Sequence, residues 1–204
     1  MMLSMKGMRA PGLLAALVLW AGTAAGQAAA PGHTPADVRF MREMIGHHQQ
    51  ALEMTALVPE RAASDNVRLM AERMTVSQRD EIAMMQAWLR AHGEAVPAAD
   101  AHAGHHAHHA AGADSAAMPG MATPEEMARL AAARGAEFDR LFLELMIRHH
   151  EGALVMVREL FATPGAGQES QIYSVASEVD ADQRMEIDRM RSMLDGPPGG
   201  PRPR

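Results

Sequence analysis

One segment of the sequence occurs twice, and this repeat decides the fold. Residues 37–54 read DVRFMREMIGHHQQALEM and residues 139–156 read DRLFLELMIRHHEGALVM, with nine of eighteen positions identical and no gap. In both copies apolar residues recur three and four positions apart, which is the period of an amphipathic helix. Residues 67–89 and 172–194 match each other in the same way. Two helical hairpins derived from one unit therefore predict an all-α fold, a four-helix bundle with pseudo-two-fold symmetry.

Capping residues, prolines and glycines set the predicted limits of the helices. Thr34-Pro35 and Thr123-Pro124 are typical helix starts, with Thr as the N-cap, Pro at the first helical position and an acid at N3. Pro or Gly at the far end of each apolar pattern marks where a helix stops. No stretch alternates with a period of two, so no strand is expected. The predicted helices cover residues 35–58, 64–92, 124–161 and 168–194.

The remaining segments are predicted to lie outside the helices. Residues 1–26 combine Lys6 and Arg9 with a short apolar run and small residues, the pattern of a secretory signal peptide; a retained N-terminal anchor is the alternative. The protein is therefore expected in the periplasm or outside the cell. A flexible N-terminus (27–33) precedes the bundle domain (34–196), which comprises hairpin one (34–93), a His-rich linker (94–122) and hairpin two (123–196). Residues 197–204 form a disordered tail.

Metal-binding donor atoms are the unusual feature of the composition. The chain has 204 residues, of which 48% are hydrophobic and 3% aromatic, with 19 Met, 11 His, no Cys and a formal net charge of −6. The absence of Cys excludes a disulfide scaffold, a thiolate metal site and a thiol nucleophile. The negative charge argues against a nucleic-acid binder, which requires clustered cations. Thioethers and imidazoles without thiolates favour copper, because Met sulfur binds Cu(I) and imidazole binds both oxidation states.

The predicted ligands recur at the same positions of both repeats. His48 lies on the inward stripe of the first helix and His47 at its margin, with Met44 one turn before and Met54 two turns after His47. Taken singly, such a Met is usually core packing and such a His a hydrogen-bonded core residue. The duplication of the whole set favours metal binding instead. The predicted ligands are Met44, His47, His48, Met54, Met146, His149, His150 and Met156.

Polar residues also recur on the second helix of each hairpin. Gln78 and Glu81, repeated as Gln183 and Glu186, lie on or beside the apolar stripe, where a buried polar group needs a partner. They could orient the imidazoles by hydrogen bonds, or the glutamates could bind the metal directly. An equally consistent alternative pairs the glutamates with Arg at the edge of the stripe. Two methionines that recur on the same helices could serve the core or the metal: Met85 and Met190.

The linker is a second candidate metal site. Clustered imidazoles in a flexible segment bind Cu(II), Ni(II) or Zn²⁺ without fixed geometry, so nickel or zinc is an alternative to copper there. A solvated spacer is the other interpretation. The residues concerned are His102, His105, His106, His108, His109, Met118 and Met121.

The duplicated pattern D-x-x-F-x-x-x-M-I-x-H-H-x-x-A-L-x-M, followed each time by a helix with Q-x-x-E-I, resembles a bacterial domain-of-unknown-function family. The best described members of that family are the CopM-like periplasmic copper-binding proteins. The resemblance covers both hairpins and implies a ferritin-like four-helix bundle with a role in copper binding, resistance or trafficking. It also places the eight predicted ligands at the motif positions of the family.

Together these features predict an exported, non-enzymatic protein that sequesters or traffics Cu(I) or Cu(II). Its expected partners are metal ions and other periplasmic copper-handling proteins, with no nucleic acid and no membrane after signal cleavage. A di-iron oxidase is the enzymatic alternative, and it requires Glu-x-x-His on two helices. The residues three before His47 and His48 are Met44 and Ile45, which disfavours that site. A metal-free protein for interaction or oxidant buffering through Met is the third alternative.

Overall fold

A computed structural model describes residues 32–97 and 118–196. These residues form α1 (Pro35–Arg61), α2 (Asp65–Ala91), α3 (Pro124–Ala132), α4 (Gly135–Ala162) and α5 (Ser170–Asp195), and none of them belongs to a strand. Helices α1 and α2 pack as one hairpin, α4 and α5 as the other, and the two hairpins join mainly through α1 and α4. The all-α, four-helix-bundle prediction is confirmed, with the short α3 added. The predictions for residues 1–31, the linker histidines and the tail lie outside the described residues.

Each of the two repeated aspartates, Asp37 and Asp139, accepts hydrogen bonds from the backbone of the opposite hairpin. Asp37 closes the capping box at the start of α1, with Thr34 N donating to its carboxylate at 2.7 Å, and also accepts a 2.7 Å hydrogen bond from Gly167 N in the α4–α5 connection. Its repeat, Asp139, accepts from Ala63 N at 3.1 Å and from Ser64 N at 2.8 Å in the α1–α2 connection. The duplication thus produces a reciprocal tie between the two hairpins.

Two of the predicted helix limits are wrong. Helix α1 continues through Pro59 to Arg61. Pro59 removes only one backbone N–H from the last turn, and the next turn still closes, since Ala62 N donates to Val58 O at 3.0 Å. The predicted helix 124–161 is broken between α3 and α4, where Arg134 is extended and Gly135 has φ +66°. The Arg134 side chain donates to the last carbonyls of α3, which supplies the hydrogen bonds that a continuous helix would make.

The core consists of two apolar clusters with a polar layer between them. One cluster joins the C-terminal half of α1 to the N-terminal half of α4, for example Met54 with Phe142. The other joins the N-terminal half of α1 to the C-terminal half of α4, for example Phe40 with Val157. This pairing shows that α1 and α4 run antiparallel. The duplicated His-His pairs lie near the middle of both helices and therefore meet at the centre of the bundle.

Candidate metal centre

Four histidines form a buried layer at the centre of the bundle. His47 and His48 on α1 and His149 and His150 on α4 are each at most 1% exposed. The ring centroids of His47 and His149 lie 3.8 Å apart with the rings tilted by 35°, and those of His149 and His150 lie 6.2 Å apart. Because the repeats cross antiparallel, equivalent histidines approach each other. We call these four residues the histidine layer.

Each inner histidine is paired with a glutamate of its own hairpin. His48 Nε2 donates to the Glu81 carboxylate, and His150 Nε2 donates to Glu186 Oε2 at 2.6 Å. A ring N–H that donates through Nε2 leaves the lone pair of a neutral imidazole on Nδ1. The Nδ1 atoms of both His48 and His150 are buried and have no hydrogen-bond partner among the described residues. The glutamates thus contact the imidazoles, in the geometry expected for residues that orient metal ligands.

The two outer histidines are held as neutral rings. His47 Nε2 donates to Pro119 O at 3.0 Å and its Nδ1 has no partner in the described part of the chain, while neither ring nitrogen of His149 has one. Burial, followed by the nearby His48 and His150, lowers the pKa of His47 from 6.5 to about 3. Burial, followed by the neighbouring histidines, also holds the pKa of His149 well below 6.5. Both rings therefore keep an uncharged lone pair at neutral pH.

Unsatisfied polar atoms concentrate around this layer. Besides the ring nitrogens, both amide atoms of Gln78 and the amide oxygen of Gln183 are buried with no hydrogen-bond partner among residues 32–97 and 118–196. Such groups are rare in folded proteins, and each costs about 1–3 kcal/mol if nothing binds it. The histidine layer therefore has the donor chemistry to accept a bound ion.

The predicted methionine ligands lie on both sides of the histidine layer. Met44 and Met156 belong to one apolar cluster, and Met54 and Met146 to the other. Met85 is buried in the cluster that contains Met44, and Met190 is buried in the cluster that contains Met54. Packing by itself accounts for their burial, so what makes Met44, Met54, Met146 and Met156 candidate ligands is their spacing of one or two helical turns from the histidines.

A segment that was predicted to be unpacked linker bridges α1 and α4 beside His47. Besides the Pro119 carbonyl, this segment exchanges two hydrogen bonds with Gln50, from Ala122 N at 2.7 Å and to Ala122 O at 2.9 Å. Gly120 packs against Gly152 of α4. We call residues 118–122 the covering segment; Met118 and Met121 within it are half-buried. The prediction that residues 94–122 do not pack is therefore wrong for its last five residues, and also for its start, where Arg42 binds Glu94 and Ala95 O and Val96 packs against the core.

The sequence carries a signal for the covering segment that was missed. Gln50 and Gly152 occupy equivalent positions of the two repeats and are not identical. Gln50 supplies hydrogen bonds to the segment, whereas Gly152 supplies space for it. A difference between otherwise similar repeats marks the place where the two-fold symmetry is broken.

Carboxylates gather where α2 and α5 meet. The Ser77 hydroxyl lies 3.4 Å from both Asp182 Oδ2 and Glu81 Oε1. Burial, followed by the charges of Glu81 and Glu186, raises the pKa of Asp182 above 3.8. Ser77 and Asp182 occupy equivalent positions of the repeated second helices. This equivalence was a second feature of the sequence that could have indicated the contact. The inner imidazoles thus lie close to negative charge, which favours a cation.

Carboxylates and imidazoles do not complete a metal site by themselves. Across residues 32–97 and 118–196, no three His, Asp or Glu side chains stand together as a ready-made metal-binding group. An ion in the histidine layer would therefore need thioether sulfur, or small movements of the rings, to complete its coordination. The linker ligands His102, His105, His106, His108 and His109 lie outside the described residues.

Comparison with known proteins places this geometry in a family. The profile of DUF305, a domain of unknown function, matches residues 37–194. The crystal structure of a DUF305 fragment from Deinococcus radiodurans is 31% identical, covers 79% of this chain and 96% of its own, and superposes with a TM-score of 0.65. A DUF305 protein from Streptomyces coelicolor, described as secreted, is 28% identical, with coverages of 81% and 94% and a TM-score of 0.63.

A metal-bound protein is also among the similar structures. CopM in its Cu(II)-bound form is 25% identical to this chain, covers 76% of it and 93% of its own length, and has a TM-score of 0.56. CopM has further been solved in Cu(I)-bound and Ag-bound forms. The search of curated proteins found no match. Of the helices within the described ranges, none is both long and apolar enough to cross a membrane.

Proposed function

The chain belongs to the DUF305 family, and we propose that this member binds copper ions in its histidine layer and sequesters or transfers them outside the cytoplasm. One observation carries the proposal. Within the described residues, the Nδ1 atoms of His47, His48 and His150 and both ring nitrogens of His149 are buried without a geometric hydrogen-bond partner, between two clusters that contain thioethers. We propose binding and transfer as its role, without catalysis.

The donor set favours copper over harder ions. Imidazole binds both Cu(I) and Cu(II), while thioether sulfur binds Cu(I) well and Zn²⁺, Mg²⁺ or Ca²⁺ poorly. CopM, a similar structure, is known in Cu(I)-, Cu(II)- and Ag-bound forms, and Ag(I) shares the preference of Cu(I) for soft ligands. Because the pKa values of His47 and His149 are low, copper need not displace a proton from these rings at neutral pH.

The paired glutamates have a defined part in this proposal. Glu81 and Glu186 fix the tautomers of His48 and His150, so that each ring offers its Nδ1 atom. Their charges, together with Asp182, offset the positive charge of the ion. Substituting a hydrogen-bonding partner of this kind typically costs 10- to 100-fold in metal affinity.

Export is part of the same proposal. The signal-like segment 1–26 supports it, as does the relative described as secreted. Other periplasmic copper-handling proteins would then deliver or accept the ion. The histidines of the linker would bind Cu(II), Ni(II) or Zn²⁺ as a separate, less selective site.

Competition titration with Cu(I)- and Cu(II)-specific chelators tests the proposal. The variant His47→Ala/His149→Ala should lose tight copper binding, whereas substitution of the five linker histidines by Asn should leave it intact. Circular dichroism must show that the double variant keeps its helices. Undiminished binding in that variant would overturn the proposal, and so would loss of binding in the linker variant alone.

A second variant distinguishes thioether from imidazole ligands without leaving a cavity in the core. Met54→Leu/Met146→Leu conserves side-chain volume, and such exchanges usually cost less than about 1.5 kcal/mol of stability. We expect it to weaken Cu(I) binding and to leave Cu(II) binding within about twofold. Equal Cu(I) affinity in this variant and the parent would show that these two thioethers are core residues only.

A further inference from the structure

A second group of imidazoles lies at the end of the bundle where α1 begins and α2 ends. His33 precedes the N-cap of α1, and His92 is the C-cap of α2. Gly93 adopts φ +71°, which turns the chain so that Glu94 returns towards His33. Trp88 is buried, and its ring contacts both histidine rings. None of these residues belongs to the duplicated motif.

The rings and the carboxylate are close together. The ring centroids of His33 and His92 lie 4.8 Å apart at an angle of 80°, and Trp88 stacks on His92 at 4.2 Å. His33 Nε2 is 4.0 Å from Glu94 Oε1. That separation is too long for a direct hydrogen bond, so the carboxylate stays beside the ring as a neighbouring charge.

The hydrogen bonds around these groups leave ligand atoms free. His92 Nδ1 lies 2.8 Å from Trp88 O, so this nitrogen donates its proton and the lone pair resides on Nε2. A ring N–H that donates to a backbone carbonyl is the usual support of a metal-binding histidine. His33 Nδ1 is buried without a partner in the described part of the protein. Arg42 binds Glu94 Oε2 at 2.9 Å, which leaves Oε1 on the side of His33.

We propose that His33 and His92 bind a divalent borderline ion of the class Cu(II), Ni(II) or Zn²⁺, with Glu94 as the neighbouring negative charge. Because no three His, Asp or Glu side chains of the described residues form a ready-made metal-binding group, the rings must rotate to bring both imidazoles onto the ion, and water completes its coordination. Ligands of nitrogen and oxygen select this class rather than Cu(I). His33 and Glu94 also line a cleft of about 700 Å³, through which the ion exchanges with solvent. The site shares no residue with the histidine layer and does not depend on the function proposed for it.

Trp88 provides a direct readout of this site. In the full-length chain with Trp20→Phe, Trp88 is the one remaining tryptophan. Because Cu(II) quenches indole fluorescence at short range, titration with Cu(II) should quench the Trp88 emission to a saturating end point. Zn²⁺ added beforehand should prevent the quenching by competition. Absence of saturable quenching would overturn the proposal.

Variants assign the ligands and separate this site from the others. His33→Phe and His92→Phe keep the ring packing and remove the lone pairs, and each should weaken the apparent Cu(II) affinity about tenfold or more. His33 lies outside the helices, so its variant keeps the test valid if His92→Phe fails to fold. The same titration in the His47→Ala/His149→Ala background, which lacks two ligands of the histidine layer, should still show a saturable quenching that depends on His33 and His92.

The linker histidines supply the last control. Their substitution by Asn should leave the quenching of Trp88 unchanged, because the proposed ligands are His33 and His92. Quenching that survives in both Phe variants would overturn the proposal. Quenching that disappears with the linker histidines would overturn it as well, since the ion would then belong to the linker.

Discussion

Gly152→Ala tests whether the covering segment rests on α4 as the structure describes. A Cβ at this position would lie 2.5 Å from the carbonyl carbon of Pro119 and 2.8 Å from Cα of Gly120, and both obstacles are backbone atoms. Ordinary contacts of a Cβ begin at about 3.4 Å, so the segment must move away by roughly an ångström. Its hydrogen bonds to His47 and Gln50 are then lost or badly stretched.

The expected size of the effect follows from two opposing contributions. Alanine in place of a helical glycine stabilises a helix by about 0.5–1 kcal/mol. Three hydrogen bonds at about 0.5–1.5 kcal/mol each are at risk, which together amount to about 1.5–4.5 kcal/mol. The loss exceeds the gain, so the free energy of unfolding should fall by about 1–3 kcal/mol. For a chain of this length the melting temperature should then fall by roughly 3–10 °C.

A double-mutant cycle supplies the control. Gln50→Ala removes two of the same hydrogen bonds without a steric clash and should cost about 1–2 kcal/mol. Because both substitutions release one segment, the double variant should lose less than the sum of the two single losses. Thermal and urea unfolding followed by circular dichroism measure all four proteins. A Gly152→Ala protein as stable as the parent, or more stable, would refute the described contact.

The other predictions concern the tie between the hairpins, pH and copper. Asp37→Ala should lower the free energy of unfolding by about 2–4 kcal/mol, and more than Asp139→Ala does, because the hydrogen bond of Asp37 to Gly167 N is buried whereas those of Asp139 are at least partly exposed; urea unfolding of both variants checks the order, and equal losses would contradict it. In metal-free protein, the pKa values of His47 and His149 lie below 6.5 in the folded state, so the unfolded chain binds more protons below that pH. The stability should therefore fall as the pH drops below 6.5, with a slope that approaches about 1.4 kcal/mol per pH unit for each histidine near pH 5, and a flat profile in urea titrations would show that these rings are not buried neutral. Copper at about 100 times its dissociation constant should add about 2.7 kcal/mol of stability at neutral pH, and acidification towards pH 5 should reduce that gain; a copper-independent melting temperature in calorimetry at saturating metal would count against binding to the folded state.

Local spacing was enough to predict most of the helical segments and the buried side on which each His-His pair lies. The periodicity of residues 37–54 and 139–156 specifies two amphipathic helices, and the caps at Thr34 and Thr123 mark helix starts that the structure shows. The repeat also implied that Glu81 and its equivalent lie near the inner histidines. The competing interpretation, in which the glutamates pair with Arg, could be decided only by geometry, because both partners lie within reach of a long side chain.

Features that depend on contacts far apart in the sequence were not predicted. No proline marks the break between α3 and α4. The break is stabilised by the side chains of Arg61 and Arg134, which donate to the backbone carbonyls at the end of α3. The helix 124–161 therefore looked continuous. The second imidazole pair was equally invisible, since His33 and His92 are separated by almost the whole of hairpin one and meet only when α1 and α2 fold together.

The order of residues along the chain is sufficient to specify two similar helical hairpins, with a His-His pair on the buried side of each first helix. This follows from local periodicity, which depends only on residues within a few turns of one another. Only the tertiary structure decided that equivalent histidines meet at the bundle centre, that each aspartate of the repeat holds the opposite hairpin, and that residues 118–122 cover one side. These outcomes depend on the antiparallel crossing of α1 and α4, where packing selects one arrangement among several that the same helical pattern allows.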